Sequence, residues 1–361
     1  MPFQVIVTRD FDHMSELAAD LVCEDIRQKL SSRLSYVLGL ATGHSPTGMY
    51  RRLAGAANAG KIDSSRLISF NLDEYVGLPG ENAQQRALHK ESYRRFMDRE
   101  LFGLLHAPFR ETNIPGGTQI DQAVFEAELE ANPGDWELQG TGNGKAVVIR
   151  RDAASEYLRW IRREILDAYA EKIARCGGID LHVIGVGGRG HVGFHESGVS
   201  FAGNHMLLIK LDDNTVANAV ADGHFSSRQQ CPSYAVSMGV ELVYQASTVL
   251  LLANGERKAD AVADALIMEP DCSVPISYGH ALSRRGGCMV FVIDRTAAAK
   301  VLANADRVRE RGIELVDRSA QRACWALAGQ QVPGNHDDDR LCRSRGSSRD
   351  ATQGLTTPGR Q

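Results

Sequence analysis

The sequence predicts an α/β fold: a single doubly wound, mostly parallel sheet, Rossmann-like and flanked by helices. Short β-branched runs alternate with stretches of helical period, the pattern of βαβ units. Several runs end in Gly-containing loops that lead into helix-forming sequence. With an interrupted stretch and a polar tail set aside, roughly 297 residues remain, within the range one α/β domain reaches.

In order, 3–8 reads as a strand and 12–30 as a helix with an apolar stripe at 15–21. The run 35–40 is a second strand, followed by a Gly/Ser/Pro loop and a helical stretch from Met49. Strand 67–71 comes third, and 181–186, 206–211, 248–253 and 289–293 continue the series. Between them Leu158, Ile161, Ile165, Tyr169 and Ile173 step by three or four residues, one face of a helix. Two stretches break the rhythm. Residues 119–151, with Asn132-Pro-Gly-Asp-Trp and Gly140-Thr-Gly-Asn-Gly-Lys145, are turn-rich and weakly periodic, an insertion or long loop on a domain spanning 1–330. Residues 331–361 carry almost no apolar side chains and predict a disordered tail.

Composition narrows the function classes. Hydrophobic residues make up 43% and charged residues 24%, ordinary for a globular protein. Forty-one basic against 45 acidic residues give a net charge of −4, which removes a blanket electrostatic case for nucleic acid but leaves room for a local basic pocket. No run approaches the roughly 18 to 20 apolar residues of a membrane helix. The N-terminus lacks a basic n-region and reads as a strand, against a signal peptide. Seven scattered cysteines without a C-x-x-C pair suit reduced thiols. The expectation is a cytoplasmic enzyme with a small-molecule partner, without nucleic acid or membrane.

Four motifs carry the chemistry. Gly39-Leu-Ala-Thr-Gly-His-Ser-Pro-Thr-Gly-Met-Tyr50 runs from strand through small-residue loop to helix, where backbone N–H groups and the helix dipole favour an anion. It lacks the Gly-Lys-Ser/Thr ending of a nucleotide P-loop, and an ordinary strand-to-helix turn is the alternative. Ser69-Phe-Asn-Leu-Asp-Glu-Tyr-Val-Gly-Leu-Pro79 sets Asp73 and Glu74 just past a parallel strand, where open α/β sheets bind ligands. A carboxylate there serves as a general base or caps the next turn.

The third, Gly185-Val-Gly-Gly-Arg-Gly-His-Val-Gly-Phe-His-Glu-Ser-Gly198, formally satisfies G-x-G-x-x-G. That fingerprint must open a helix, and Gly193 and Gly198 oppose one. His191 and His195 beside Glu196 also invite a metal, but the order is not H-E-x-x-H. Acid–base work by His191 and Glu196 is the better reading. In the fourth, Leu250-Leu-Leu-Ala-Asn-Gly-Glu-Arg-Lys-Ala259, basic residues stand in a first helical turn, which an anion would neutralise. Lys258 is the candidate phosphate ligand there, with a solvated surface lysine as the alternative.

In order and spacing T-G-H-S-P-T-G-M-Y, F-N-L-D-E-Y-V-G-L-P, H-K-E-S-Y-R-R-F-M, the Gly-rich string and G-E-R-K-A resemble the glucosamine-6-phosphate deaminase (isomerase) family, which shares its fold with 6-phosphogluconolactonase. The resemblance covers roughly 1–118 and 152–300. It implies deamination and isomerisation of glucosamine 6-phosphate, or a close hexosamine 6-phosphate, to a ketose 6-phosphate and ammonia through an enediol-like intermediate, without cofactor or metal. Asp73 falls on the family's C2-to-C1 base, His191 on its ring-opening histidine and Glu196 on the assisting carboxylate. Thr42, Gly43, His44, Ser45 and Lys258 fall on phosphate-binding positions. The family also implies a homo-oligomer.

Three positions depart from the family pattern. Arg189 replaces an aspartate that orients the histidine, His195 an asparagine, and Val220 a phosphate-binding arginine. Together they predict altered substrate, slow turnover or lost activity, or an anion site moved toward Arg189. A sugar-phosphate-binding regulator and a sugar-lactone hydrolase on the same fold are the other readings of these residues.

Overall fold

The computed structural model describes residues 3–321 except Arg189 and Asn204; the expected tail at 331–361 lies outside them. Eight strands form a parallel sheet: β1 (Phe3–Thr8), β2 (Tyr36–Leu40), β3 (Leu67–Asn71), β5 (Glu111–Asn113), β8 (Leu181–Ile184), β11 (Thr248–Ala253), β12 (Cys288–Asp294) and β13 (Glu314–Asp317). Their order is β13-β1-β12-β11-β8-β2-β3-β5, and each registered pair is parallel. The α/β class predicted from alternation is therefore the class observed. All the strands read from the sequence are present, but 206–211 belongs elsewhere.

A smaller antiparallel sheet stands beside the first, and the sequence reading had no place for it. It consists of β4 (Asp73–Val76), β6 (Trp136–Gln139), β7 (Lys145–Ile149), β9 (Met206–Lys210) and β10 (Tyr234–Met238), ordered β4-β10-β9-β7-β6. The 119–151 segment is not a long loop: it contains the helix Gln122–Ala131, β6 and β7, and β7 joins β9 through the pairs Lys145↔Lys210 and Ala146↔Ile209. Turn-forming residues between short strands had masked a hairpin.

Alternation along the parallel strands explains the double winding. Leu38, Leu40, Leu250 and Leu252 face one apolar cluster with Met14, Val22, Ile26, Met49 and Leu53 from the helices Phe11–Leu30 and Thr47–Asn58. Val37, Phe70, Val249 and Leu251 face the other, with Leu158, Ile161, Ile165, Tyr169 and Ile173. That predicted helical face is buried throughout. Its middle, Ile161–Asp167, is a π-helical turn, wider than an α-turn, which keeps four-residue steps on one side.

Two features position the site. β2 leads onward to β3 on one side of the sheet, while its neighbour β8 leads to β11 on the other. Their carboxyl ends diverge and open a crevice, the place where such sheets bind ligands. Leu72 then carries the chain from one sheet to the next. Its N–H donates to Leu40 O at 2.9 Å, and its carbonyl accepts from Met238 N at 2.7 Å. Asp73 begins the second sheet at that joint.

Candidate functional site

The crevice opens into a cleft of about 870 Å³. The loop from β2 contributes Thr42–Ser45, the β3–β4 joint contributes Asp73, the loop after β8 contributes His191, and the turn after β11 contributes Lys258. Residues from four separate motifs thus meet at one opening. Ser45 Oγ donates to Asn254 Oδ1 at 2.7 Å, tying the first loop to the last turn.

The adjacent carboxylates take different environments because they begin a strand and point to opposite faces. Glu74 accepts from Ser92 Oγ at 2.7 Å, Tyr75 N at 2.9 Å, Tyr93 N at 3.0 Å and Arg94 N at 3.1 Å. It anchors the start of the helix Tyr93–Glu100, the capping role the sequence left open between the two. Burial pushes its carboxyl up, and those donors pull it down. Asp73 is 4% exposed, and its Oδ1 has no hydrogen-bond partner. Burial first, then the neighbouring Glu74, hold the Asp73 carboxyl well above the usual carboxylate range.

Backbone packs closely against Asp73. Gly193, at φ +54°, lies so near that a Cβ there would stand 2.9 Å from Asp73 Oδ2 and from Ser237 Oγ. Ser237, registered opposite Asp73, accepts from Phe194 N at 3.1 Å and fixes that loop. Tyr75, Tyr93 and Phe194 form an aromatic wall, with Tyr75 5.1 Å and Tyr93 5.8 Å from the Phe194 ring. The sequence reading did not single these three out, although each lies inside a quoted string; Tyr75 and Tyr93 follow an acidic and a hydroxyl residue at a strand and a helix start, whereas Phe194 follows Gly193 in a loop.

The Gly-rich segment forms no helix among its described residues, only a bridge between Val192 and His195, so it lacks the framework of a dinucleotide fingerprint. The His191 ring lies over the Gly187 backbone at the cleft edge. His195 is fully buried: its Nδ1 accepts from Val240 N at 3.2 Å, so Nε2 carries the proton and donates to Val199 O at 3.2 Å. Burial lowers its pKa to about 4, which makes it a neutral structural imidazole. Among the described residues no group of three His, Cys, Asp or Glu side chains is placed to hold a metal ion.

Glu196 does not line the cleft. It is buried and accepts from Thr215 Oγ1 at 2.7 Å and Asp212 N at 3.2 Å, and Thr215 does line the cleft. Lys258 sits in the turn Glu256–Lys258, where burial and the adjacent Arg257 push its pKa down and Asp222 pulls it up. Val220 packs into the apolar cluster under the antiparallel sheet instead of facing the cleft. Arg189 lies outside the described residues. Two contacts at the rim escaped the sequence reading: His224 Nδ1 at 2.9 Å from a Glu91 carboxylate oxygen, and the Arg257–Asp222 ion pair at 3.2 Å. Their partners are 133 and 35 positions apart, beyond any local pattern.

No family model matches the chain. The chain is 32% identical over 301 residues to a glucosamine-6-phosphate deaminase of Clostridium acetobutylicum, covering 83% of this chain and 100% of that protein. It is 33% identical over 299 residues to the glucosamine-6-phosphate deaminase of Clostridioides difficile, covering 82% and 96%. Against that of Shewanella loihica it is 31% identical over 326 residues, covering 90% and 98%. Among solved structures it resembles a monomeric glucosamine-6-phosphate deaminase, with a TM-score of 0.59 and 24% identity over 82% of this chain and 99% of that one. A 6-phosphogluconolactonase from Leishmania guyanensis gives a TM-score of 0.53 at 17% identity, covering 83% and 99%. The two structures speak for the fold alone.

Proposed function

The chain belongs to the glucosamine-6-phosphate deaminase family, and from that premise we propose that it converts glucosamine 6-phosphate, or a close hexosamine 6-phosphate, to a ketose 6-phosphate and ammonia. The observation that carries this reading is the buried Asp73 carboxylate, with an unpartnered oxygen, in the same cleft as His191, the Thr42–Ser45 loop and Lys258.

The phosphate sits on the loop between β2 and the helix Thr47–Asn58, against Lys258. Backbone N–H groups, the helix dipole and one ammonium supply its charge complement. His191 moves the proton between the anomeric hydroxyl and the ring oxygen as the sugar opens to its aldehyde. Asp73 removes the C2 proton, giving an enediol-like intermediate that carries the amino group. Return of that proton to C1 leaves an imine at C2. Water adds to the imine, ammonia leaves, and a C2 ketone remains. A base whose pKa is lifted by burial holds its proton long enough to deliver it one carbon along. Glu196, buried outside the cleft lining, acts through the loop that also carries His191.

The test is ammonia release and ketose 6-phosphate formation from candidate hexosamine 6-phosphates, with Asp73→Asn as control. The two products are expected in equal amounts, and Asp73→Asn is expected to lower kcat by roughly 10²–10⁴-fold. Undiminished activity in Asp73→Asn would sink the mechanism. Hydrolysis of a 6-phosphosugar lactone without ammonia would move the chain to the lactone-hydrolase reading. Thermal stabilisation by the sugar phosphate without any product would move it to a binding regulator.

A further inference from the structure

The turn joining β6 to β7, residues 140–144, runs along the chain that carries Glu196. Thr141 N donates to Gly198 O at 3.0 Å, and Gly144 N donates to Asp212 Oδ2 at 3.4 Å. A Cβ on Gly144 would stand 2.7 Å from both Cβ and Cγ of Glu196, and one on Gly142 would stand 2.8 Å from Ser197 O. The backbone of the turn therefore touches the Glu196 side chain at a distance only glycine permits. The start of the helix Asp213–Ala221, to which Gly144 N is bonded, presents Asp212 N and Thr215 Oγ1 to one carboxylate oxygen of Glu196, Oε1. Thr215 is also the point where this arrangement reaches the cleft.

We propose that the 140–144 turn and the first turn of the Asp213–Ala221 helix together form a socket that fixes the Glu196 carboxylate next to the cleft residue Thr215, with Gly144 and Thr215 as positioning residues. The 119–151 segment is then a working part of the site as well as an extension of the sheet. The effect on turnover rests on the deaminase reading; the socket itself is measurable without turnover. Its logic is directional. Thr215 has one hydroxyl proton, and it is given to Oε1, which favours the ionised carboxylate. Removing that proton, or pushing Glu196 off both donors with a methyl group at 144, raises the Glu196 pKa and loosens its orientation.

The experiment uses the full chain with Gly144→Ala, Thr215→Val, Thr215→Ser and the Gly144→Ala/Thr215→Val pair. Carbon-13 NMR of Glu-labelled protein, assigned with Glu196→Gln, follows the Glu196 titration, and ammonia release from glucosamine 6-phosphate gives kcat and KM. Gly144→Ala and Thr215→Val are each expected to raise the Glu196 pKa by about one unit. Each is also expected to lower kcat by about tenfold while KM stays within about twofold. Thr215→Ser recovers most of both changes. The double variant falls well short of the product of the single losses, because both act on one carboxylate. An unchanged Glu196 titration, equal losses in Thr215→Ser and Thr215→Val, or fully multiplicative losses would each overturn the socket. If Gly144→Ala does not fold, the Val/Ser pair decides. If the wild-type chain releases no ammonia, the deaminase reading fails, and the Glu196 titration alone decides the socket.

Discussion

At position 73 function and stability pull in opposite directions. The folded chain holds the Asp73 proton far more tightly than an unfolded chain, whose carboxyl titrates near 3.8. The ionised carboxylate therefore destabilises the fold at every pH above its raised pKa, and the cost fades as pH falls through that pKa toward 3.8. Asp73→Asn should accordingly raise Tm at pH 7, by about 1–3 °C for a chain of this size, and bring no gain below about pH 4, while activity is lost. Calorimetry of both proteins at the two pH values checks this. A variant less stable than wild type at pH 7 would show that the carboxylate has a structural partner. In the active enzyme kcat/KM should fall on the acid side with unit slope, because the base must be ionised. His182 titrates in the opposite sense. Buried on β8 with both ring nitrogens unpartnered, its pKa is lowered from 6.5 to about 3 by burial. The unfolded chain then binds the proton better, so stability is whole above pH 6.5 and drains as pH falls toward 3. His182→Val should flatten that acid loss of Tm, measured between pH 7 and 4.

Glu74 works through an element, not through the reaction. Three of its four donors, Ser92 Oγ, Tyr93 N and Arg94 N, close the start of the helix Tyr93–Glu100 and fix Tyr93 in the cleft wall. Glu74→Gln keeps the shape but gives up charge and some acceptor capacity, a change worth about 1–2 kcal/mol at a cap. Tm should fall accordingly, and KM for the sugar phosphate should rise more than kcat falls as the aromatic wall loosens. Equal losses in both would place Glu74 in the chemistry. The elements also show where sequence reasoning runs out. Alternation and period locate β2, β3, β8, β11 and β12 because these strands are apolar runs closed by loops. β4 escapes the same reading because Asp73 and Glu74 fill half of its four positions, and carboxylates there read as a post-strand loop. β6 and β7 escape because their turn supplies most of the local signal. Asp73, His191, Lys258 and the Thr42–Ser45 loop are legible one motif at a time, since each follows a strand end. Glu196's hidden position is not, because it depends on Thr215 and Asp212, nineteen and sixteen residues away along the chain.

Across the whole molecule, the chain passes between the two sheets most tightly at Leu72, the single residue between β3 and β4, and the proposed base Asp73 follows it. Leu72, 2% exposed, is hydrogen-bonded to the parallel sheet through its N–H and to the antiparallel sheet through its carbonyl. Its side chain belongs to the large apolar cluster beneath the parallel sheet, so packing sets the angle at which Asp73 leaves the joint. Truncating it removes buried carbon and lets both sheets relax around the gap, at a cost of about 2–5 kcal/mol. Leu250→Ala offers the matched control: equally buried and also a leucine, but in the middle of β11 with its side chain in the opposite cluster. Both variants should lower Tm by similar amounts. Only Leu72→Ala should lower kcat well below what the folded fraction explains, and only there should amides of β3, β4 and β10 lose hydrogen-exchange protection together. If the two variants lose activity in step with stability alone, the joint is ordinary core, and Asp73 is held by its own strand without help from the angle between the sheets.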